Sequence, residues 1–246
     1  MAVVAQTDAR IYIGSFEWTS FTNQAEVGFD VATQDVTTFG SSFTQYVPGL
    51  KTMTFNVAGF NDYAGASLDE WTRANVGTRR VCTIANATPA TGGAAYVGYG
   101  QFDAKRMMNA AVGAVPTVTA QVGDGYTAEG LLTQISTSTV TATGNSTPQQ
   151  VGAVASGRTI LAAIHVLSVT GTTPSLTCQL ASSTTLGGAY TARGSAGAAI
   201  TAAGDQLITI AAPFTGSTDG FWRINYTVSG TTPVFTVVAT IAITGP

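Results

Sequence analysis

The chain has 246 residues, of which 9% are charged and 45% hydrophobic, with a net charge of −3 and a pI near 4.9. Soluble domains carry about a quarter charged residues, so surface charge is short and a surface covered in part by neighbours is expected; the acidic balance excludes the clustered Lys and Arg of a nucleic-acid binder. The sequence has neither the run of about 18 apolar residues that a spanning helix needs nor a basic and apolar leader in Met1–Gly14, so no membrane anchor or export signal is expected, and the site of synthesis is a cytosol.

In chain order, Asp30 and Asp35 lie near a turn following Phe29, and Thr37–Gly49 reads as a long loop joining two strands. The loop offers Phe39, Phe43 and Tyr46 among small polar residues, a mixture suited to interface anchors. Met53, Phe55 and Val57 then alternate with Thr52, Thr54 and Asn56, the period-two pattern of a half-buried strand.

One segment of the first half predicts a helix. Ser67 is placed to cap it, Asp69 and Glu70 fall in the first turn where they oppose the macrodipole, Leu68 and Trp71 share a face, and Gly77 follows the end. Val118, Ala120 and Val122 alternate with Thr117, Thr119 and Gln121, and Gly123-Asp124-Gly125 reads as a tight turn flanked by Asp124 and Glu129. The doublets Arg79-Arg80 and Lys105-Arg106 adjoin strands and read as edge or turn charges, available in an oligomer to acids of a neighbour.

The Ser- and Thr-rich run Thr133–Pro148 reads as an interdomain connection, so domains 1–138 and 139–246 are expected. Residues 1–135 hold 11 acidic and 7 basic side chains, a net of 7 − 11 = −4, whereas 136–246 hold only Asp205, Asp219, Arg158, Arg193 and Arg223. The second half has no helical period. Leu176, Cys178 and Leu180, then Trp222, Ile224, Tyr226 and Val228, then Phe235, Val237, Ala239, Ile241 and Ile243 mark strands of a β-sandwich. Val169–Thr177 (VTGTTPSLT) returns as Val228–Thr236 (VSGTTPVFT), which suggests two similar hairpins of a pseudo-symmetric sandwich.

Catalytic chemistry lacks its parts. His165 is the one histidine and shares a strand face with Leu161, Ala163, Leu167 and Val169, which points to a core or interface residue. Cys82 and Cys178 stand almost a hundred residues apart, with no metal or disulfide spacing. Capping and turn formation account for the carboxylate pairs Asp69/Glu70, Asp30/Asp35 and Asp124/Glu129. Gly92-Gly93 and Gly187-Gly188 lack the ending of a phosphate-binding loop. No enzyme, cofactor or metal site is expected.

The run Asp35–Phe60, DVTTFGSSFTQYVPGLKTMTFNVAGF, resembles the signature region of major tail proteins of long-tailed bacteriophages. There a strand ending in D-V-T-x-F-G leads through a polar loop to an I/V-x-G-L turn and a second strand. Tyr63–Gly77 and Ala94–Val122 are similar to that family in order and spacing, so the resemblance covers most of residues 9–132. The second half, in GRTILAAIHVLSVTGTTPSLT and FWRINYTVSGTTPVFTVVA, is similar to β-domains at the C-terminal end of phage structural proteins.

The resemblance implies a mainly β protein. Its N-terminal tail-tube β-sandwich or partly open barrel carries one short helix, and its C-terminal sandwich is immunoglobulin-like or jelly-roll-like. It also implies a virion protein of the phage tail, assembled in the host bacterial cytoplasm as homo-oligomeric rings, commonly hexamers, stacked into a tube that meets other tail proteins. Phage DNA passes through transiently and non-specifically, and the C-terminal domain is expected to project outward. Phe39, Gly40, Phe43, Tyr46, Pro48 and Gly49 are the expected ring-stacking residues. Two rival readings share the catalytically empty β character: another virion component, for capsid decoration or head-to-tail joining, and a carbohydrate-binding adhesin using Tyr96, Tyr99, Tyr190 or Trp222.

Overall fold

The computed structural model describes residues 9–39, 42–64, 67–85, 90–107, 114–135 and 138–244. Strands β1 (Arg10–Ile13) and β2 (Phe16–Glu17) form a short hairpin, followed by the long pair β3 (Thr22–Asp35) and β4 (Tyr46–Phe60). Helix α1 (Leu68–Asn75) leads into β5 (Arg79–Ala85), β6 (Ala94–Met107) and β7 (Thr117–Gln134). Three short strands follow, β8 (Thr139–Val140), β9 (Gly144–Asn145) and β10 (Gln149–Gln150), and then β11 (Thr159–Ser183), β12 (Thr191–Ala192), β13 (Gly204–Ala211) and β14 (Phe221–Ile243). The chain is mainly β, as the alternating patterns predict, and the strand pairings are antiparallel.

The N-terminal core gathers Ile11, Ile13, Trp18, Phe55, Val57, Leu68, Cys82, Ile84, Phe102, Val118, Ala120 and Val122. Helix α1 closes this core with Leu68, fully buried, and with Trp71, whose ring meets Phe102 edge-on at 5.2 Å. Ser67 stands at the N-cap position but does not cap: its hydroxyl donates to the Asp62 carbonyl at 2.8 Å. Asp69 instead pairs with Arg73 one turn later at 3.1 Å. Gly77, at φ +82, takes the left-handed conformation beyond the helix end, and its amide donates to the Phe102 carbonyl at 2.9 Å.

Gly123-Asp124-Gly125 is no turn. Strand β7 runs straight through it, and the register against β6 jumps from Tyr99↔Tyr126 to Gln101↔Gly123, leaving one extra residue on β7. The glycines are needed for close approach, since a Cβ on Gly125 would sit 1.6 Å from the Tyr99 carbonyl oxygen and one on Gly100 2.0 Å from that of Gly123. The bulge separates the part of β7 that pairs with β4 (Thr117–Val122) from the part that pairs with β14 (Gly130–Gln134).

The second half is built on one long ribbon, β11 against β14, paired from Ile160↔Ile243 to Ser183↔Phe221. The two Gly-Thr-Thr-Pro copies are not hairpin turns; each lies inside a continuous strand, and they face one another across the ribbon. Their geometry matches copy for copy. Gly171 and Gly230 have φ +116 and +112, Thr173 and Thr232 both have φ 48, and each glycine lies against the threonine carbonyl of the other copy. The left-handed residues reverse the in-out alternation, so Val169 and Leu176 in one strand and Val228 and Phe235 in the other all face one core. The ribbon thereby folds over itself into the two layers of a sandwich, and the pseudo-symmetry of the repeat becomes a local twofold relation between strands. The Ser/Thr-rich run after β7 does not hang free, because β8 and β9 pair along β14 and the Ser146 hydroxyl accepts the Ile224 amide at 2.9 Å.

The halves are joined through a shared interior. In β5 the even residues Cys82 and Ile84 face the N-terminal core, while Val81, Thr83 and Ala85 face the second half, so the strand is buried on both faces. Val81, Val97 and Ala128 pack with Leu161, Ala163 and Ala242, and Tyr12, Ala85, Ala95 and Leu132 pack with Val238. Small residues allow the close approach: a Cβ on Gly130 would lie 2.2 Å from the Ile241 carbonyl oxygen. Asp205 of β13 accepts from the Arg80 guanidinium at 2.9 Å and from the Val81 amide at 2.8 Å.

His165 sits fully buried in this junction. Its Nδ1 is 2.7 Å from the Gly14 carbonyl, which can only accept, so Nδ1 carries the proton and Nε2 accepts from the Thr83 hydroxyl at 2.8 Å. Tyr12 lies beside the ring, and Asp205, itself held by Arg80, stands opposite His165 in the β11–β13 register. Burial holds the imidazole below its ordinary value of 6.5, against the opposing pull of the Gly14 hydrogen bond and Asp205. A depressed folded pKa favours the neutral form, so the stability His165 contributes is complete above 6.5 and is lost as pH falls below it. Urea unfolding of the full chain is expected to lose stability below that pH, with a limiting slope of about 1.4 kcal/mol per pH unit for one proton. His165→Gln removes that part of the slope; an unchanged slope between pH 7 and pH 5 would assign it elsewhere.

Candidate assembly interface

The β3–β4 pair projects from the N-terminal core as an arm. Strand β4 pairs with β7 only over Phe55–Phe60, so beyond Val27↔Phe55 the ribbon of residues 28–35 and 46–54 pairs only with itself. Residues 30–39 and 42–47 are exposed, including Val31, Val36 and Val47. Exposure on both faces explains why the amino-acid pattern here carries no in-out alternation.

The neck of the tip loop is closed by local hydrogen bonds. The Asp35 carboxylate accepts the Thr37 amide at 2.8 Å and its hydroxyl, the Gln45 amide donates to that hydroxyl oxygen at 2.9 Å, and the Val36 amide donates to the Gln45 carbonyl at 2.9 Å. The two Thr37 hydrogen bonds, the hydroxyl's first, hold the Asp35 carboxyl below its usual range. This ordered neck presents Phe39, fully exposed, Phe43, 84% exposed, and Tyr46, 61% exposed. Tyr46, Pro48 and Gly49 belong to β4 itself, so the connecting loop is shorter than Thr37–Gly49, and Gly40 lies outside the described residues.

Beside the arm, the free face of the N-terminal sheet is polar. Glu26, Asn56, Gln121 and Asp103 stand in one register row across β3, β4, β7 and β6, with Gln24, Ala58, Thr119 and Lys105 nearby. Asp205, Asp219, Arg193 and Arg223 of the second half find partners within the chain. Arg193 and the Ser182 hydroxyl bind Asp219 at 2.8 and 2.6 Å, Asp205 is taken by Arg80, and Arg223 lies 4.4 Å from the Tyr190 ring centroid. Arg80 therefore pairs within the chain, and its neighbour Arg79 lies over Tyr99.

The adhesin candidates do not form an aromatic platform. Trp222 is fully buried with its indole N–H on the Gly152 carbonyl, Tyr96 packs on the N-terminal core, and Tyr99 packs in the junction. Cys82 and Cys178 are buried, and burial pushes both thiols up, Cys178 to about 12. Among the described residues no group of three or more His, Cys, Asp or Glu side chains is placed to hold a metal ion, and no helix is long and apolar enough to cross a membrane.

No protein-family profile matches the chain, and no curated protein matches it. Among solved structures it is similar to the Dit protein of phage SPP1, described as a paradigm of the hub adsorption apparatus in phages infecting Gram-positive bacteria. The two share 12% identity over 96% of this chain and 99% of that one, with a TM-score of 0.33, below the level at which two chains have a common fold.

Proposed function

We propose that this chain is a structural subunit of a bacteriophage tail, polymerising through the β3–β4 arm into stacked rings that form a tube for DNA. The observation that carries the reading is the arm: a two-stranded ribbon without a third strand is at best marginal in water, and this one ends in three exposed aromatic side chains on an ordered neck. Such a device gains its support from another copy. The resemblance of Asp35–Phe60 to major tail proteins lies in the sequence of this arm.

In this reading the open edge of β3 joins the sheet of a neighbouring copy, which removes an unpaired edge. The second half, packed over Ala95, Val97 and Tyr99 on the face of β5 and β6 turned away from the N-terminal core, covers the outside of the tube. It acts as a built-in outer layer, not a tethered appendage. Purified full-length protein sedimented over a range of concentrations is expected to pass from small species to very large ones; a monomer at every concentration would remove the reading.

A further inference from the structure

We infer, independently of the tube reading, that the turn between β1 and β2 is an acid-sensitive clasp: His165 ties it to the second half while the imidazole is neutral, and acid releases it.

The sheet path ends on this hairpin, in the order β6, β5, β1, β2, so the hairpin can lift without breaking the pairing of β5 with β6. Its turn is held from three sides. The Gly14 amide donates to the Val81 carbonyl at 2.8 Å, the Ser15 hydroxyl oxygen accepts the Trp71 indole N–H at 3.2 Å, and the Gly14 carbonyl accepts His165 Nδ1–H at 2.7 Å. The first two partners, on β5 and α1, belong to the N-terminal half. The third, on β11, joins the turn to the second half.

A neutral imidazole has one donor and one acceptor, and both are used here. Nδ1 donates to Gly14, and Nε2 accepts from Thr83, whose side chain is fully buried and whose hydroxyl has no other partner among the described residues. A proton added at Nε2 turns that acceptor into a donor aimed at the Thr83 oxygen. The hydroxyl hydrogen then loses its acceptor, and a full charge enters a closed site.

No free counter-charge stands ready around the ring. Asp205 on β13 pairs with Arg80 of β5, a couple of net charge zero, and its other oxygen takes the Val81 amide. Strand β1 contributes Tyr12, β14 places Val238 opposite His165, Arg79 of β5 lies over Tyr99, and Arg10 pairs with Glu17 within the hairpin at 2.6 Å. Lifting the turn brings water to the imidazole and lets it charge, while the long pairing of β11 with β14 stays closed.

The open form titrates near the ordinary 6.5 and the closed form stays neutral, so opening gains up to about thirtyfold between pH 7.5 and pH 5.0. Amide hydrogen exchange of the full-length chain, read by mass spectrometry and corrected for the intrinsic pH dependence of exchange, tests this. Peptides covering residues 10–17 are expected to lose protection by roughly five- to thirtyfold at pH 5.0, with those of β11 and β14 unchanged. His165→Gln and His165→Asn carry amides that do not titrate, and whichever variant folds is expected to protect residues 10–17 equally at both pH values. Equal protection of this segment at both pH values in the unaltered chain overturns the clasp. So does a loss spread evenly over the whole chain, or one that a folded variant retains.

Discussion

Replacing Phe39, Phe43 and Tyr46 together by alanine is expected to abolish polymerisation at concentrations where the unaltered chain assembles, while the monomer unfolds at the same temperature. All three side chains are exposed and make no core contact, so the folded monomer changes by less than about 1 kcal/mol. At an interface, a well-buried aromatic anchor contributes about 2 kcal/mol or more, and three of them amount to roughly 6 kcal/mol, or about four powers of ten in dissociation constant. The neck built from Asp35, Thr37 and Gln45 is untouched by these substitutions, so the effect reports lost contact and not a collapsed loop. Circular dichroism melting and light scattering on the same samples separate the two; a parallel loss of melting temperature would show that the aromatics serve the fold.

Deleting residues 141–246 is expected to unfold what remains. The composition of the run Thr133–Pro148 suggests a connection that could be cut, with a decorating domain beyond it, but the junction argues otherwise. Removal of β14 strips the pairing of β7 over Gly130–Gln134 and uncovers Tyr12, Val81, Val97 and Leu132, each now buried against the second half. Re-exposing a large apolar side chain costs about 1.5–3 kcal/mol, so four of them remove roughly 6–12 kcal/mol from a domain whose total stability is about 5–15 kcal/mol. Proteolysis and heteronuclear NMR dispersion of the truncated chain decide the matter. A well-dispersed, protease-resistant 1–140 fragment would mean that the small-residue face of β5 and β6 tolerates water.

The strands that could be read from sequence are those with one wet and one dry face. Phe55 to Val57, Thr117 to Val122, Leu176 to Leu180 and Trp222 to Val228 alternate because each is half-buried. Strand β5 has no such alternation because both its faces are covered, and the arm has none because both its faces are wet. The arm was therefore legible only as a loop with aromatics. Gly and Pro in Gly-Thr-Thr-Pro signal a turn by local chemistry, whereas the fold uses them to bend a continuous ribbon, a choice made by the partner copy across the strand pair. Of the assembly surface, Phe39, Phe43 and Tyr46 could be singled out because aromatics amid Ser, Thr and Gly have no local core to enter.

The central claim is that the arm makes copies of this chain grow head to tail, and negative-stain electron microscopy of the purified full-length protein across a concentration series tests it most directly. Hollow tubes or stacked rings with a smooth, continuous outer layer are the predicted result. Isolated monomers, or closed rings that never stack at any concentration, would contradict it.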